Sequence, residues 1–203
     1  MFAQVIQGRT ADEAGVRAAL DRWVEELAPG SIGWLGSTGG VTDDGRFIAV
    51  ARFESAEAAG RNATRPEQSA WWEETSALFD GEVTFRDSED VDVELIGDLD
   101  RAGFVQVMQG RSTDVARVRE LMASVPPEVS AAHRPDVLGS VSIGHEDGEW
   151  TTVLYFTSEA EARDGESKPM PFEMQSAMEE MMTLNVGPPS FLDLRRPAMH
   201  SAG

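Results

Sequence analysis

One phrase occurs twice in this chain and constrains its fold more than any other feature. Phe2-Ala3-Gln4-Val5-Ile6-Gln7-Gly8-Arg9 opens the sequence, and Phe104-Val105-Gln106-Val107-Met108-Gln109-Gly110-Arg111 returns to it, with Phe, Gln, Val, Gln, Gly and Arg kept in place. Self-similarity over this distance divides the 203 residues into two tandem units of about 100 residues each. The expected division is 1–97 and 98–203, with a connector at about 96–103 and a loose tail at 197–203. Units this small gain stability when an open sheet face is covered, so mutual burial of the two halves is expected.

The same order of elements is legible in each half. Phe2, Gln4 and Ile6 alternate with Ala3, Val5 and Gln7, a strand apolar on both faces. Thr10-Ala11-Asp12-Glu13 has capping-box spacing and predicts a helix whose apolar stripe is Val16, Leu20, Trp23, Val24 and Leu27, stopped by Pro29-Gly30. Strands at 32–38 and 47–53 flank the turn Asp43-Asp44-Gly45. Ser55 caps a short helix to about Asn62, a second helix starts at Pro66 and carries Trp71 and Trp72, and β character returns over 82–95. The second half repeats this β-α-β-β-α-β order: a helix at 114–125 ended by Pro126-Pro127, a hairpin turning at Asp147-Gly148, a capping box at Ser158-Glu159-Ala160-Glu161, a helix at 171–183 and a closing strand at Ser190-Phe191-Leu192-Asp193 that matches Thr84-Phe85-Arg86-Asp87.

A β-α-β-β-α-β unit of this length is a ferredoxin-like fold, with helices on one side of an antiparallel sheet. On the strand-opening phrases, the two Asp-Gly hairpins and the aromatic-bearing second helix, the chain resembles the dimeric α+β barrel superfamily, in particular the antibiotic-biosynthesis-monooxygenase type of domain, duplicated within one polypeptide. The resemblance implies an α+β fold in which two ferredoxin-like repeats form one intramolecular barrel, a monomer with an internal pseudo-dimer that is able to dimerise further. It also implies a pocket between sheet and helices, and an activity among several: cofactor-independent oxygenation of phenols, haem degradation, isomerisation, or none. A cofactor-independent oxygenase needs only to hold an electron-rich ring in a dry aromatic cavity and hydrogen-bond the charge that develops, because the substrate itself donates electrons to O₂.

The first half carries a residue set of that kind. Asn62, Trp72 and Arg52 are the candidate catalytic residues, and Gln4, Trp71, Trp34 and Phe79 the candidate substrate-binding ones. Each has a structural alternative: Gln4 and Gln106 as satisfied interface amides, Arg9 and Arg111 as ion-pair partners, Asn62 as a helix end, and one of the adjacent tryptophans as core. In the second half the tryptophan pair gives way to Met174-Gln175 within a stripe of Met170, Met174, Met178, Met181 and Met182, which reads as adaptable packing. The pocket is therefore expected in the first half. The competing reading is a non-catalytic barrel that binds a small apolar ligand or a partner.

Several chemistries are disfavoured. With 17 basic against 36 acidic residues and a net charge of −19, the surface repels phosphate backbones and anionic membranes. The chain has no Cys, so disulfides, thiolate sites and Cys nucleophiles are excluded. His133, His145 and His200 stand far apart with no metal spacing, which argues against a metal site, and none lies on a predicted helix of the second βα segment, where the resemblance implies a His in haem-degrading members, so haem is disfavoured and no cofactor is expected. No secretory signal and no apolar run of about 20 residues is present, and a cytoplasmic protein is the expectation.

Overall fold

The computed structural model describes residues 1–202, apart from the side chain of residue 100. The chain divides into two compact units, residues 1–91 with 196–203, and residues 92–195.

The first unit begins with strand β1 (Phe2–Arg9) and helix α1 (Glu13–Glu26). Asp12 caps α1, accepting from the Gly15 amide at 2.9 Å. Thr10, expected to be the cap, instead accepts from the Asp12 amide and donates to the Leu78 carbonyl at 2.7 Å. A buried hydroxyl finds two partners there, which one exposed capping bond would not supply. Strands β2 (Trp34–Val41) and β3 (Arg46–Phe53) form the expected hairpin, its turn held by Gly45 at φ +79°, a conformation that favours glycine. Ser55 caps α2 (Ala56–Ala63), α3 (Pro66–Ser76) follows, and β4 (Thr84–Ser88) lies antiparallel to β1.

In the second unit, β5 (Val91–Leu95) leads into β6 (Phe104–Arg111), α4 (Val115–Ser124) and α5 (Pro127–His133). Then come β7 (Val137–Gly144), β8 (Glu149–Phe156), α6 (Glu159–Ser167), α7 (Phe172–Leu184) and β9 (Ser190–Leu194). The last strand, β10 (Ala198–Ser201), belongs to the first unit. Helix α5 was not anticipated. Pro126-Pro127 ends α4, but a proline is equally suited to a first helical turn, and α5 starts on Pro127.

Within each unit four strands take the ferredoxin-like order, β2-β3-β1-β4 and β7-β8-β6-β9, and each sheet gains a fifth strand beside its second. That fifth strand is β5 in the second unit and β10 in the first. Two sequence expectations are corrected here. The β stretch at 82–95 is two strands in different sheets, with the unit boundary at Val91 rather than at residue 97. The segment expected to be a loose tail is a strand, with Ala198 opposite Gly39 and Ser201 opposite Gly36. An edge strand such as β2 leaves a row of unpaired amides and carbonyls, and β10 satisfies them. Arg196, just before β10, is fixed to Glu13 of α1 at 2.6 Å.

The faces of the first sheet follow from its register. Phe2, Gln4 and Ile6 stand opposite Phe53, Ala51 and Ala49 and share the helix-covered face, whereas Ala3 and Val5, opposite Arg52 and Val50, share the other. Both faces are largely buried: Ala3, Val5 and Ile48 are fully inaccessible, as are Val105 and Val153 of the second sheet. The helix side holds two apolar clusters. One joins Phe2, Trp23, Leu27, Trp34, Phe53 and Ala58, and the other joins Val16, Val41, Phe47 and Ala49 with Ile6, Leu20, Leu78 and Phe79.

Candidate functional site

Gln4 lies along β1 between these clusters, with Phe2 anchored in one and Ile6 in the other. Its side-chain amide donates to the carboxylate of Asp87, directly opposite on β4, at 2.8 Å. Phe85, two residues earlier on β4 and on the same face, meets Trp72 edge-on with ring centroids 5.1 Å apart. Trp72 also lies 6.0 Å from Trp71 and 6.3 Å from Phe79. Trp71 is half-buried against the first cluster and donates its indole N–H to the Ala19 carbonyl at 2.9 Å. Same-face residues on a strand are about 7 Å apart, so the Gln4–Asp87 pair stands one such step from this aromatic group. The result is an aromatic ledge, Trp71, Trp72 and the exposed Phe85, with a hydrogen-bonded carboxylate beside it.

The remaining candidates are placed elsewhere. Asn62 is 8 % exposed, and both ends of its amide are engaged: Oδ1 accepts from Arg65 at 3.0 Å and Nδ2 donates to Gln68 at 3.3 Å. Gln68 also accepts from the Trp23 indole at 2.6 Å, and Arg65 donates to the Leu27 carbonyl at 2.9 Å. Asn62 is thus a clamp tying α2 and α3 to the end of α1. Arg52 stands opposite Ala3, so it lies on the sheet face away from the tryptophans. Trp34 is core, edge-on to Trp23 at 5.2 Å, and Phe79 packs on Phe47 at 5.0 Å. Gln4, Trp71, Trp72 and Phe79 therefore come together on one face, while Arg52 and Asn62 do not join them. Strand alternation carried the warning about Arg52, since a residue opposite Ala3 cannot share a face with Gln4.

Asp87 and Phe85 were missed as site residues. The signal was present in the match of Thr84-Phe85-Arg86-Asp87 to Ser190-Phe191-Leu192-Asp193, because the second unit builds the same pair: Gln106 donates to Asp193 at 2.9 Å. There the surroundings differ. Arg163 of α6 is bonded to the Asp193 carboxylate and sits 5.2 Å over the Phe104 ring. It also holds Glu166 at 3.0 Å, while Arg195 holds Glu159 at 2.7 Å and, by that hydrogen bond, keeps the Glu159 carboxyl below its usual range. The methionine stripe of α7 is half-buried at Met174, Met178 and Met181 and exposed at Met182.

Two concavities lie outside this face. One of about 310 Å³ in the second unit is lined by Arg111, Ser112, Thr113, Val115, Asp147, Gly148 and Val186. The other, about 10 Å³, lies between α1, β2 and the Arg196–Ala198 segment. Among the described residues no group of three His, Cys, Asp or Glu side chains is arranged to hold a metal ion. No helix among them is long and apolar enough to cross a membrane.

Comparison with solved structures places this geometry in context. A presumptive monooxygenase from Lactobacillus acidophilus NCFM superposes with a TM-score of 0.73 at 13 % identity, over 98 % of this chain and 95 % of that one. The two chains share one fold. A second presumptive monooxygenase, from Fusobacterium nucleatum, matches with a TM-score of 0.73 at 10 % identity, over 100 % of this chain and 94 % of that one. An anthrone oxidase-like protein matches at 0.67 and 10 % identity, over 98 % and 92 %. No protein-family model matches the sequence, and no curated protein does. At these identities the likeness is one of fold alone, extending over nearly the whole of each chain.

Proposed function

We propose that this protein is a monooxygenase-like enzyme for a small aromatic substrate, with its site on the helix-covered face of the first unit. The observation that carries this reading is the partly exposed ledge of Trp71, Trp72 and Phe85 beside the Gln4–Asp87 pair; the second unit has Met174-Gln175 in place of the tryptophan pair and holds its own carboxylate with Arg163. A flat ring stacks on the indoles, and its polar substituent reaches the amide–carboxylate pair, so that one contact supplies area and the other orientation. An electron-rich ring held in this way reacts with O₂ as its own electron donor, and the protein's task is to hold it and to bond its polar end. The monooxygenase and anthrone oxidase-like names among the structural relatives lend the reaction class its support.

A second reading, ligand binding without catalysis, is favoured by one observation: Asn62, the amide expected to bond the substrate, is consumed by Arg65 and Gln68. One pair of measurements separates the two. Tryptophan quenching by a panel of phenols and hydroxylated bicyclic aromatics reports binding, and oxygen uptake with the same compounds reports turnover. Quenching with uptake, both diminished in Trp72→Ala, supports the enzyme. Quenching without uptake leaves the binding protein.

A further inference from the structure

The second unit shows what its own Gln–Asp pair accommodates, and that occupant is a cation. The guanidinium of Arg163 is bonded to Asp193 and lies 5.2 Å over the Phe104 ring, with Gln106 donating to the same carboxylate at 2.9 Å. The first unit keeps Phe2, Gln4 and Asp87 in the corresponding strand positions but lacks the guanidinium. Arg163 stands five residues after the capping Ser158, and the same count from the capping Ser55 reaches Gly60. Gly60 is exposed, and a Cβ there would meet nothing within 4 Å. Glycine inside a helix is about 1 kcal/mol less favourable than alanine, so its place in the middle of α2 runs against helix stability and leaves space where the second unit has an arginine.

Three arginines of the first unit are engaged elsewhere. Arg61 pairs with Glu57 at 2.6 Å, Arg65 with Glu67 at 3.0 Å and Arg22 with Glu74 at 2.7 Å. Among the described residues, Asp87 receives the Gln4 amide and no ion pair, and it is exposed where Asp193 is half-buried. We propose that the first unit's ligand is an aromatic molecule carrying a cationic group, an amidinium, guanidinium or ammonium, which Asp87 takes in the way Asp193 takes Arg163. This rests on the reading that an aromatic molecule binds the same ledge, and it adds the charge that molecule carries. A carboxylate already oriented by an amide forms a charge-assisted, potentially bidentate contact with such a group. The faces of Trp72 and Phe85 attract the same cation through their ring quadrupoles. The net charge of −19 raises the local concentration of cations, whereas it repels anionic aromatics.

The test uses the full chain and three compounds of similar size: benzamidine, its neutral counterpart benzamide, and phenol, titrated by calorimetry and tryptophan fluorescence. The expected result is benzamidine binding at least tenfold more tightly than benzamide, with the difference removed in Asp87→Asn. Gly60→Arg, which places a guanidinium where the second unit has one, should abolish benzamidine binding, while Gly60→Ala retains it and shows that the helix tolerates a side chain. Equal affinity for benzamide and benzamidine, or undiminished benzamidine binding in either Asp87→Asn or Gly60→Arg, overturns the inference. Binding of phenol and benzamide without preference for benzamidine removes the cation and leaves the aromatic ledge standing. Failure of all three compounds removes both.

Discussion

The two units build the same Gln–Asp pair on the same strands and surround it differently. In the second, Arg163 neutralises Asp193 and covers Phe104, which is fully inaccessible. In the first, Gly60 stands at the matching helix position, and Asp87 is exposed on the sheet face that carries the aromatic ledge. A comparable exchange occurs two residues further along each helix. Seven residues after the capping serine the first unit has Asn62, bonded to Arg65, and the second has Gly165, where a Cβ would lie 2.4 Å from the Arg134 guanidinium. Arg134 in turn holds Asp136 at 2.7 Å and the Ala162 carbonyl at 3.3 Å. Each unit thus keeps one arginine clamp on its first helix after the hairpin, supplied from a different place, and only the second adds an arginine over the pair.

The largest effect expected from this contrast is on stability. Phe104→Ala removes the ring beneath Arg163 together with its contact to Phe156 and should cost about 3–5 kcal/mol in urea unfolding. Phe2→Ala should fall nearer the low end, since Phe2 is 6 % exposed and, among the described residues, has no cation over it. An equal loss at both positions would mean that the arginine adds nothing to the packing.

Asn62→Ala should destabilise by about 1–3 kcal/mol, because it leaves Arg65 and Gln68 each short of a partner in a half-buried clamp. Thermal unfolding checks this. Aromatic binding measured below the transition should be little changed, and its selective loss would return Asn62 to the site.

Removing Arg163 should turn the second unit into a copy of the first. In Arg163→Ala the benzamidine stoichiometry is expected to rise by one per chain, with weaker affinity because the second unit lacks the tryptophans. Unchanged stoichiometry in calorimetry would show that the aromatic ledge, and not the vacant carboxylate, decides which unit binds.

The smallest effect concerns the anchor of β10. The side-chain hydrogen bond from Arg196 holds the Glu13 carboxyl below its usual range, with burial acting in the opposite direction. A carboxylate whose pKa is depressed in the folded state stabilises above its unfolded pKa of about 4.3, and that stability is lost as pH falls through the lower folded value. Glu13→Gln should therefore lower stability by less than about 1 kcal/mol at pH 7, and the gap to the unmutated chain should narrow as pH falls below about 4 in paired thermal melts. A gap unchanged on acidification would assign the loss to packing instead of charge.

Much of the fold was legible because its signals are local. The repeated phrase marked two strands, alternation showed that both faces are buried, and Asp44-Gly45 and Asp147-Gly148 marked the hairpins. The destinations of β5 and β10 were not legible, since pairing with a sheet outside one's own repeat leaves no mark in strand propensity. At the site, Gln4, Trp71, Trp72 and Phe79 were read from their chemistry and lie on one face. Arg52 and Asn62 were read with them and do not join, because residue type says what a side chain can bond and says nothing of which neighbours reach it first. Asp87 was passed over as one carboxylate among many, and only its position opposite Gln4 sets it apart.

The repeat, its β-α-β-β-α-β order and the absence of the tryptophan pair from the second copy were determined by sequence alone, because periodicity, capping and turn chemistry act over a few residues. Tertiary structure decided that the last strand enters the first unit, that Asn62 is a clamp, and that Gly60 and Arg163 occupy one position with opposite consequences. These depend on residues such as Gln4 and Asp87, or Arg163 and Asp193, that stand far apart along the chain and meet only once the strands have paired.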